Sequence, residues 1–271
     1  MDAEAIEPVH RMREHETQAW TFHRSTARWL FNVAGGHSPQ PRPGREHPGS
    51  GWTPLPEPAA LSASLTEAIG DRVSCRAFGP GPVPLAQLAA VLQHTYGLEG
   101  RSEDGELELV DRPVPSAGGL YPLEVTLLVR AVEGLDPGVH HYVPAAGGLE
   151  KLRDGPLPPT FLTYLFMGQP WVAEAGVVLV VSVVTGRSMV KYGDRGYRYL
   201  LLEAGHLVQN VNLVATALGL GSVNIGGFYD DELAALIRVD PEFEIPLYAS
   251  ALGRPLHPGD RMASRALDRS S

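Results

Sequence analysis

The chain has 271 residues, 44% hydrophobic and 20% charged, with a formal net charge of −9, which describes a globular protein long enough to bury a sizeable core. The negative balance, with no long basic stretch, argues against nucleic acid and anionic membrane as partners. No apolar run reaches the ~20 residues of a spanning helix, the acidic N-terminus is unlike a signal peptide, and Cys75 is the only cysteine, so neither an internal disulfide nor a Cys-based zinc cluster can form and a cytoplasmic protein is expected.

In chain order, Trp20, Phe22, Trp29, Leu30 and Phe31 stand at near-helical spacing and predict an N-terminal helix. Residues 35–59 are crowded with Pro and Gly, as in Pro39-Gln40-Pro41-Arg42-Pro43-Gly44, and read as an extended arm outside the core. Leu61 to Ile69 reads as a short helix, Leu85 to Tyr96 as a clear one introduced by Pro82-Val83-Pro84, and Gly100 to Asp111 as a polar loop. Glu124 to Ala131 is a strand, and Gly138 to Pro144 with Leu149 to Arg153 a hairpin. Val177 to Val184, apolar on both faces, belongs at the centre of a covered sheet. A helix from about Tyr197 to Leu218 counts Leu201, Gly205, Val208, Asn212, Ala215 and Leu218 among its inner positions; being apolar nearly all round, it should lie in the core or in a subunit interface, and Gly219 and Gly221 end it. Asp230 to Ile237 gives a last helix and Leu247 to Leu252 a last strand. Helices and strands mix without βαβ alternation, so the fold class is α+β and not a Rossmann domain. The expected division is an N-terminal helix and arm over 1–59, a folded domain over 60–256 and a tail over 257–271.

Among 22 lysines and arginines only Lys151 and Lys191 are lysine. Arginine keeps its proton at ordinary pH, whereas burial can bring an ammonium into the range of acid/base work. Lys191, directly before Tyr192 and close to Gly193 and Gly196, is therefore the first candidate for chemistry, on a loop or a helix N-terminus from which both side chains reach one site. His140-His141 suggests no metal, because strand neighbours face opposite ways and no third ligand stands at a suitable spacing. Arg72, Ser74 and Arg76 set two guanidinium groups around a hydroxyl, suited to a phosphate and the hydrogen-bonding edge of a ring. Pro115-Ser116-Ala117-Gly118-Gly119-Leu120-Tyr121-Pro122 lets backbone lie against a flat ligand, Asn224-Ile225-Gly226-Gly227-Phe228 offers unobstructed N–H groups, and Arg254 follows the last strand, where a phosphate could be held.

Together and in this order, these runs resemble the FMN-dependent nitroreductase superfamily over residues 60–256, and within it the SagB-type dehydrogenases that oxidise azolines in thiazole- and oxazole-containing peptides. The resemblance implies an α+β nitroreductase-like fold, a central, mainly antiparallel sheet flanked by helices, in a domain-crossed homodimer whose interface builds two flavin sites. It implies FMN held by Arg72, Ser74, Arg76, Ser116, Gly118, Gly226, Gly227 and Arg254, with Lys191 and Tyr192 catalytic and no metal. Val73 stands where the family often has a second basic or polar residue, which puts one phosphate or pyrimidine contact in question. Azoline oxidation needs a base and a hydride acceptor. An adjacent ammonium favours phenolate while burial favours a neutral amine, so either member of the pair can take the proton. The implied substrate is an azoline on a peptide or carrier, with a cyclodehydratase as partner; the arm would clasp the dimer or dock that partner. An NAD(P)H-dependent nitroreductase or flavin reductase shares the flavin site, and a non-catalytic flavin-containing scaffold is the third reading.

Overall fold

Val177–Val184, a β-branched run without Pro or Gly, is buried along its whole length except at its last residue, which demands sheet on both sides and a packed layer on each face. In the computed structural model, which describes residues 18–27, 45, 47, 50–104 and 107–257, this is strand β7. The other strands are β1 (Gly51–Pro54), β2 (Gly100–Asp104), β3 (Leu107–Asp111), β4 (Leu123–Val129), β5 (Gly138–Val143), β6 (Gly148–Asp154), β8 (Gly221–Ile225) and β9 (Glu244–Gly253). Seven of them form one sheet of order β1-β6-β5-β4-β7-β9-β8 with antiparallel pairing throughout, and β2 and β3 pair as a separate hairpin. The described helices are α1 (Gln18–Ser25), α2 (Leu65–Asp71), α3 (Leu85–Tyr96), α4 (Pro159–Leu165), α5 (Thr185–Tyr192), α6 (Arg195–Ala217) and α7 (Asp230–Leu236). None is long and apolar enough to cross a membrane. The mixed architecture is the α+β class expected.

Period-two alternation divides the sheet between two cores. Leu123, Val125, Leu127, Leu179, Val181 and Val183 pack with α3 and α6 on one face. Leu128, Val178, Val180, Ala249 and Ala251 pack with Leu162 and Leu165 of α4 and Leu233 and Leu236 of α7 on the other. Local signals set several ends. Ser64 opens α2 through a reciprocal capping box with Glu67, and Gly219, at φ 71, closes α6.

Four sequence expectations change. Gly100 to Asp111 is a hairpin and not a loop, its strands paired from Gly100↔Asp111 to Asp104↔Leu107. Helix α4 had no counterpart. On α6, Leu201 is 43% exposed and Gly205 is also exposed, while Leu200, Glu203, Ala204 and Leu207 face inward. Finally, Gly51–Pro54 at the end of the arm pairs along β6, so the sheet starts before residue 60. Trp29, Leu30, Phe31, most of the arm and residues 258–271 lie outside the described residues.

At one end of its second face the sheet is polar. Buried Glu124 accepts from His141 Nε2 at 3.0 Å and from the backbone N–H of Arg45 at 3.0 Å, and pairs with Arg187 at 2.7 Å. Buried Glu244 accepts from the Arg45 guanidinium at 2.9 Å and from Ser182 Oγ at 2.6 Å. Glu150 lies 3.4 Å from His141 Nδ1 and accepts the His47 N–H. Three carboxylates thus meet two guanidinium groups and an imidazole whose two nitrogens both face carboxylates. The ligand atoms of His47, His141 and Glu150 lie within 4.8 Å of one another, a grouping the sequence spacing did not suggest. The hydrogen bonds of the cluster hold Arg45 and His47 of the arm against the sheet. Burial acts to raise the Glu124 carboxyl, but the hydrogen bond from His141 and the Arg187 charge prevail and hold it at about 2, against 4.5. A depressed carboxylate contributes stability above its unfolded value and loses it as pH falls through the folded one. Glu124→Gln is therefore expected to cost about 3 kcal/mol in urea unfolding at neutral pH, with the deficit narrowing as pH falls from 4.5 toward 2.

Candidate active site

Lys191 and Tyr192 occupy the last turn of α5, at the helix C-terminus rather than on a loop or helix N-terminus. The helix begins where β7 ends, so an interior strand fixes its base. Gly193, at φ 56, terminates it and donates its N–H to Met189 O at 2.8 Å; α6 starts two residues later. A Cβ on Gly196 would lie 3.2 Å from Met189 Cα, so the two helices meet where a hydrogen is the side chain. The Tyr192 ring packs edge-on against Tyr199 of α6, centroids 5.0 Å apart, and Arg195 lies over Tyr199 at 5.8 Å. Residues 195, 199 and 203 are successive i,i+4 positions and form one stripe on α6.

Both candidate groups converge on Gly118. A Cβ there would stand 2.7 Å from Lys191 Nζ and closer still to the Tyr192 hydroxyl, and its φ of 68 is one that side chains rarely adopt. The backbone at 118 is thus the wall against which the ammonium and phenol rest, and three residues expected at one site are brought together. The loop that carries Gly118 is tied down at its start. Ser116 Oγ donates to Glu203 Oε2 at 2.6 Å and accepts the Tyr121 N–H at 2.9 Å.

Glu203 was not among the expected site residues. It is 3% exposed, and its Oε1 has no hydrogen-bond partner among the described residues. Burial pushes its carboxyl up to about 7, against the opposing hydrogen bond from Ser116 and charge of Arg112. That Glu203 is the only acidic residue in α6 was legible in the sequence, but its partner was not. Arg112 lies over the rings of Tyr96 (4.4 Å) and Tyr121 (5.5 Å) and donates to Tyr96 O at 2.6 Å.

A second grouping forms around β8. Arg72 caps α2. Ser74 bridges to Ser222 near the start of β8, with the Cys75 N–H on Ser222 O at 2.9 Å. The Arg76 guanidinium is 5.9 Å from the Trp171 ring centre. Arg254 follows Gly253, which pairs with Gly221 at the same end of β8. Its carbonyl accepts the Gly79 N–H at 2.8 Å and its Nε donates to Pro82 O at 2.9 Å. The run 72–76 and Arg254 therefore share one neighbourhood. Gly226 and Gly227 follow the opposite end of β8, about 13 Å away at ~3.4 Å per residue. The Cβ position at Gly226 is open within 4 Å, and that at Gly227 meets Met167 Sδ at 3.2 Å. Cationic residues at one end and the open Gly226 backbone at the other suit a ligand with an anionic tail and a flat head.

The two groupings are separate within the chain. The Gly118 loop leads into β4, three strands from β8, roughly 14 Å across the sheet at ~4.8 Å per spacing. The described geometry thus unites Gly118, Ser116, Lys191 and Tyr192 in one corner, and Arg72, Ser74, Arg76 and Arg254 in another.

The profile of the nitroreductase family matches residues 69–254. MJ1384 of Methanocaldococcus jannaschii, which is named a nitroreductase, is 35% identical over 192 residues, covering 71% of this chain and 91% of its own. The microcin B17-processing protein McbC of Escherichia coli is 31% identical over 148 residues, 53% of this chain and 54% of McbC. Among solved structures, a nitroreductase-related protein of Anabaena variabilis superposes with a TM-score of 0.70 at 26% identity, covering 87% of this chain and 46% of that one. The matched region thus spans nearly all of MJ1384 but about half of McbC and of the Anabaena chain.

Gly118→Ala would press a methyl group onto the atoms of Lys191 and Tyr192 and strain the loop, at a cost of about 1–2 kcal/mol. The expected signature is a change of several-fold in the rate at which an amine-acylating reagent labels Lys191, read by peptide mass spectrometry, with Lys151 unchanged as the internal reference.

Proposed function

The chain belongs to the nitroreductase family, and from that premise we propose that it is an FMN-dependent oxidoreductase of the SagB type, converting azoline rings of a peptide or carrier-bound substrate to azoles. The observation that carries this reading is the convergence of Lys191 Nζ and the Tyr192 hydroxyl on Gly118, an ammonium and a phenol at one point beside a backbone wall. Likeness to McbC, a microcin B17-processing protein, supports a peptide substrate. FMN, if bound at this site, would supply the two-electron acceptor for the substrate's hydride, with dioxygen as the terminal oxidant. Arg72, Ser74, Arg76 and Arg254 would hold its phosphate end, and Gly226, Gly227, Ser116 and Gly118 would face its ring.

The chain's own residues then carry the proton. Loss of two hydrogens from an azoline is loss of one proton and one hydride, so a base must stand where the ring C–H is presented. Tyr192 takes the proton in our assignment, with Lys191 stabilising the phenolate by charge; the reverse assignment uses the same geometry. Tyr199 fixes the Tyr192 ring edge-on, and Gly118 excludes side-chain bulk from the space in front of both groups. Lys191→Ala and Tyr192→Phe are expected to lower azoline turnover at least ~100-fold, the usual scale of acid/base contributions, while the yellow flavin spectrum persists. The assay is incubation of a synthetic azoline peptide with the flavin-loaded protein, followed by mass spectrometry for loss of two hydrogens; wild-type turnover in both variants overturns the reading. The likeness to MJ1384 favours a second reading, an NAD(P)H-dependent nitroreductase, for which NAD(P)H would bleach the flavin rapidly and nitroarenes would turn over.

The separation of the Lys191 corner from the Arg254 corner supports a homodimer in which each flavin site draws one corner from each copy. The exposed Leu201 and Leu202 of α6 offer apolar surface for such a contact. Mixing Lys191→Ala and Arg254→Ala subunits by co-expression is expected to restore about a quarter of wild-type turnover, since half the dimers are mixed and each mixed dimer keeps one intact site of two. Two inactive homodimers with an equally inactive mixture would mean that both corners act from the same copy. A cyclodehydratase partner belongs to the same reading.

A further inference from the structure

We propose that Glu203 is a positioning residue of the site, holding Ser116 and through it the Gly118 backbone against which Lys191 and Tyr192 rest. This inference rests on the proposed function for its link to turnover, but its geometry stands without it. The loop from Ser116 to Tyr121 contains three residues in the left-handed region, Gly118 at φ 68, Gly119 at φ 65 and Tyr121 at φ 43. A non-glycine residue there stores strain that neighbouring contacts must offset. The Ser116 hydroxyl closes the loop by accepting the Tyr121 N–H, and its own proton goes to Glu203 Oε2. Glu203 therefore fixes the direction of the hydroxyl that fixes the loop.

Helix α6 also holds the other half of the pair. Tyr199, one turn before Glu203, packs on Tyr192. The Tyr199–Glu203 face thus grips the catalytic phenol with one residue and the opposing loop with the other, setting the gap between them. No other acidic residue of α6 could do this, because there is none. A carboxylate so buried, with one oxygen unpartnered among the described residues, costs free energy that a leucine would avoid. Retaining it calls for a role, and the loop contact supplies one. The charged and titratable groups that face it are Arg112, Tyr96 of α3 and Tyr121 of the loop. Its carboxyl is raised to about 7. As pH rises through neutrality, Glu203 loses its proton and becomes the stronger acceptor for Ser116; the grip on the loop tightens.

The test compares Glu203→Leu, Glu203→Gln and Ser116→Ala with the wild type in the full-length protein. The first readout is the labelling rate of Lys191 relative to Lys151 by an amine-acylating reagent, measured from pH 6 to 8 without added flavin. Expected are a ratio altered at least threefold in Glu203→Leu and Ser116→Ala, no further change when the two are combined, and, at pH 6, where the wild-type carboxyl is mostly protonated, near-wild-type values in Glu203→Gln, which keeps an acceptor for Ser116. The wild-type ratio should pass through a step near neutral pH that Glu203→Gln lacks. The second readout is azoline turnover, in which kcat should fall about tenfold in Glu203→Leu with KM little changed, the signature of a misplaced acid/base pair. If Glu203→Leu does not fold, Ser116→Ala carries the same comparison. Labelling ratios equal to wild type in folded Glu203→Leu and Ser116→Ala overturn the proposal. A changed ratio in a protein whose wild type does not turn over azolines upholds the positioning role and rejects the azoline reading.

Discussion

At Gly118 the structure has room for a hydrogen and nothing larger, and the local architecture is arranged around that fact. A lysine Nζ and a tyrosine hydroxyl occupy the space where a Cβ would stand. The backbone there is left-handed, so the absent side chain and the φ angle impose the same requirement. Neither the helix bearing Lys191 and Tyr192 nor the loop bearing Gly118 is long. Their separation is set by what they attach to: α5 springs from the end of β7, the loop runs into β4, and β4 and β7 are paired from Leu123↔Val183 to Val129↔Val177. The gap between base and wall is thus referred to one antiparallel ladder, among the stiffest parts of the chain.

That ladder has two unlike faces. One is a continuous apolar layer under α3 and α6. The other is apolar only in part, and at its polar end Glu124, Glu244 and Glu150 would be intolerable if bare. The chain answers with Arg187 from the first turn of α5, Arg45 from the arm and His141 from the sheet itself. Glu124 and Arg187 link the opposite end of α5 from the Lys191 corner to β4, the strand that the Gly118 loop enters. Neutralising the buried carboxylates and positioning the candidate catalytic pair are therefore coupled through the same short helix.

Strands such as Val177–Val184 were legible because β-branched runs have few other ways to be buried, and Leu85–Tyr96 because Pro and Gly punctuate it. The α6 interval was legible, but its orientation was not: a helix apolar nearly all round carries no phase, so Leu201 and Gly205 were placed inward when Leu200, Glu203 and Ala204 are. Lys191 announced itself by composition, and Tyr192 by adjacency and family likeness. Their setting was misread because Gly193 and Gly196 suggest a loop, whereas one ends α5 and the other lets α6 pack against it. Glu203 escaped for a different reason. Its meaning depends on Ser116, 87 residues away, and no local pattern encodes that distance. The hairpin over 100–111 was missed because its first strand, Gly100–Asp104, is polar and lacks the hydrophobic alternation on which strand assignment rests.

The two lysines are finally unlike in a way that explains why one could have been arginine and the other could not. Lys151 is a surface cation between Asp136 and Asp154, whose hydrogen bonds raise its pKa; a guanidinium would serve there at least as well. Lys191 points a compact ammonium at the Gly118 backbone with its neighbour's hydroxyl alongside. A planar guanidinium is wider, does not release its proton, and would have to displace either the loop or Tyr192. The choice of lysine at 191 therefore follows from the space in front of Gly118 as much as from proton chemistry. In a chain that uses arginine for almost every other cation, shape and acidity select the same exception.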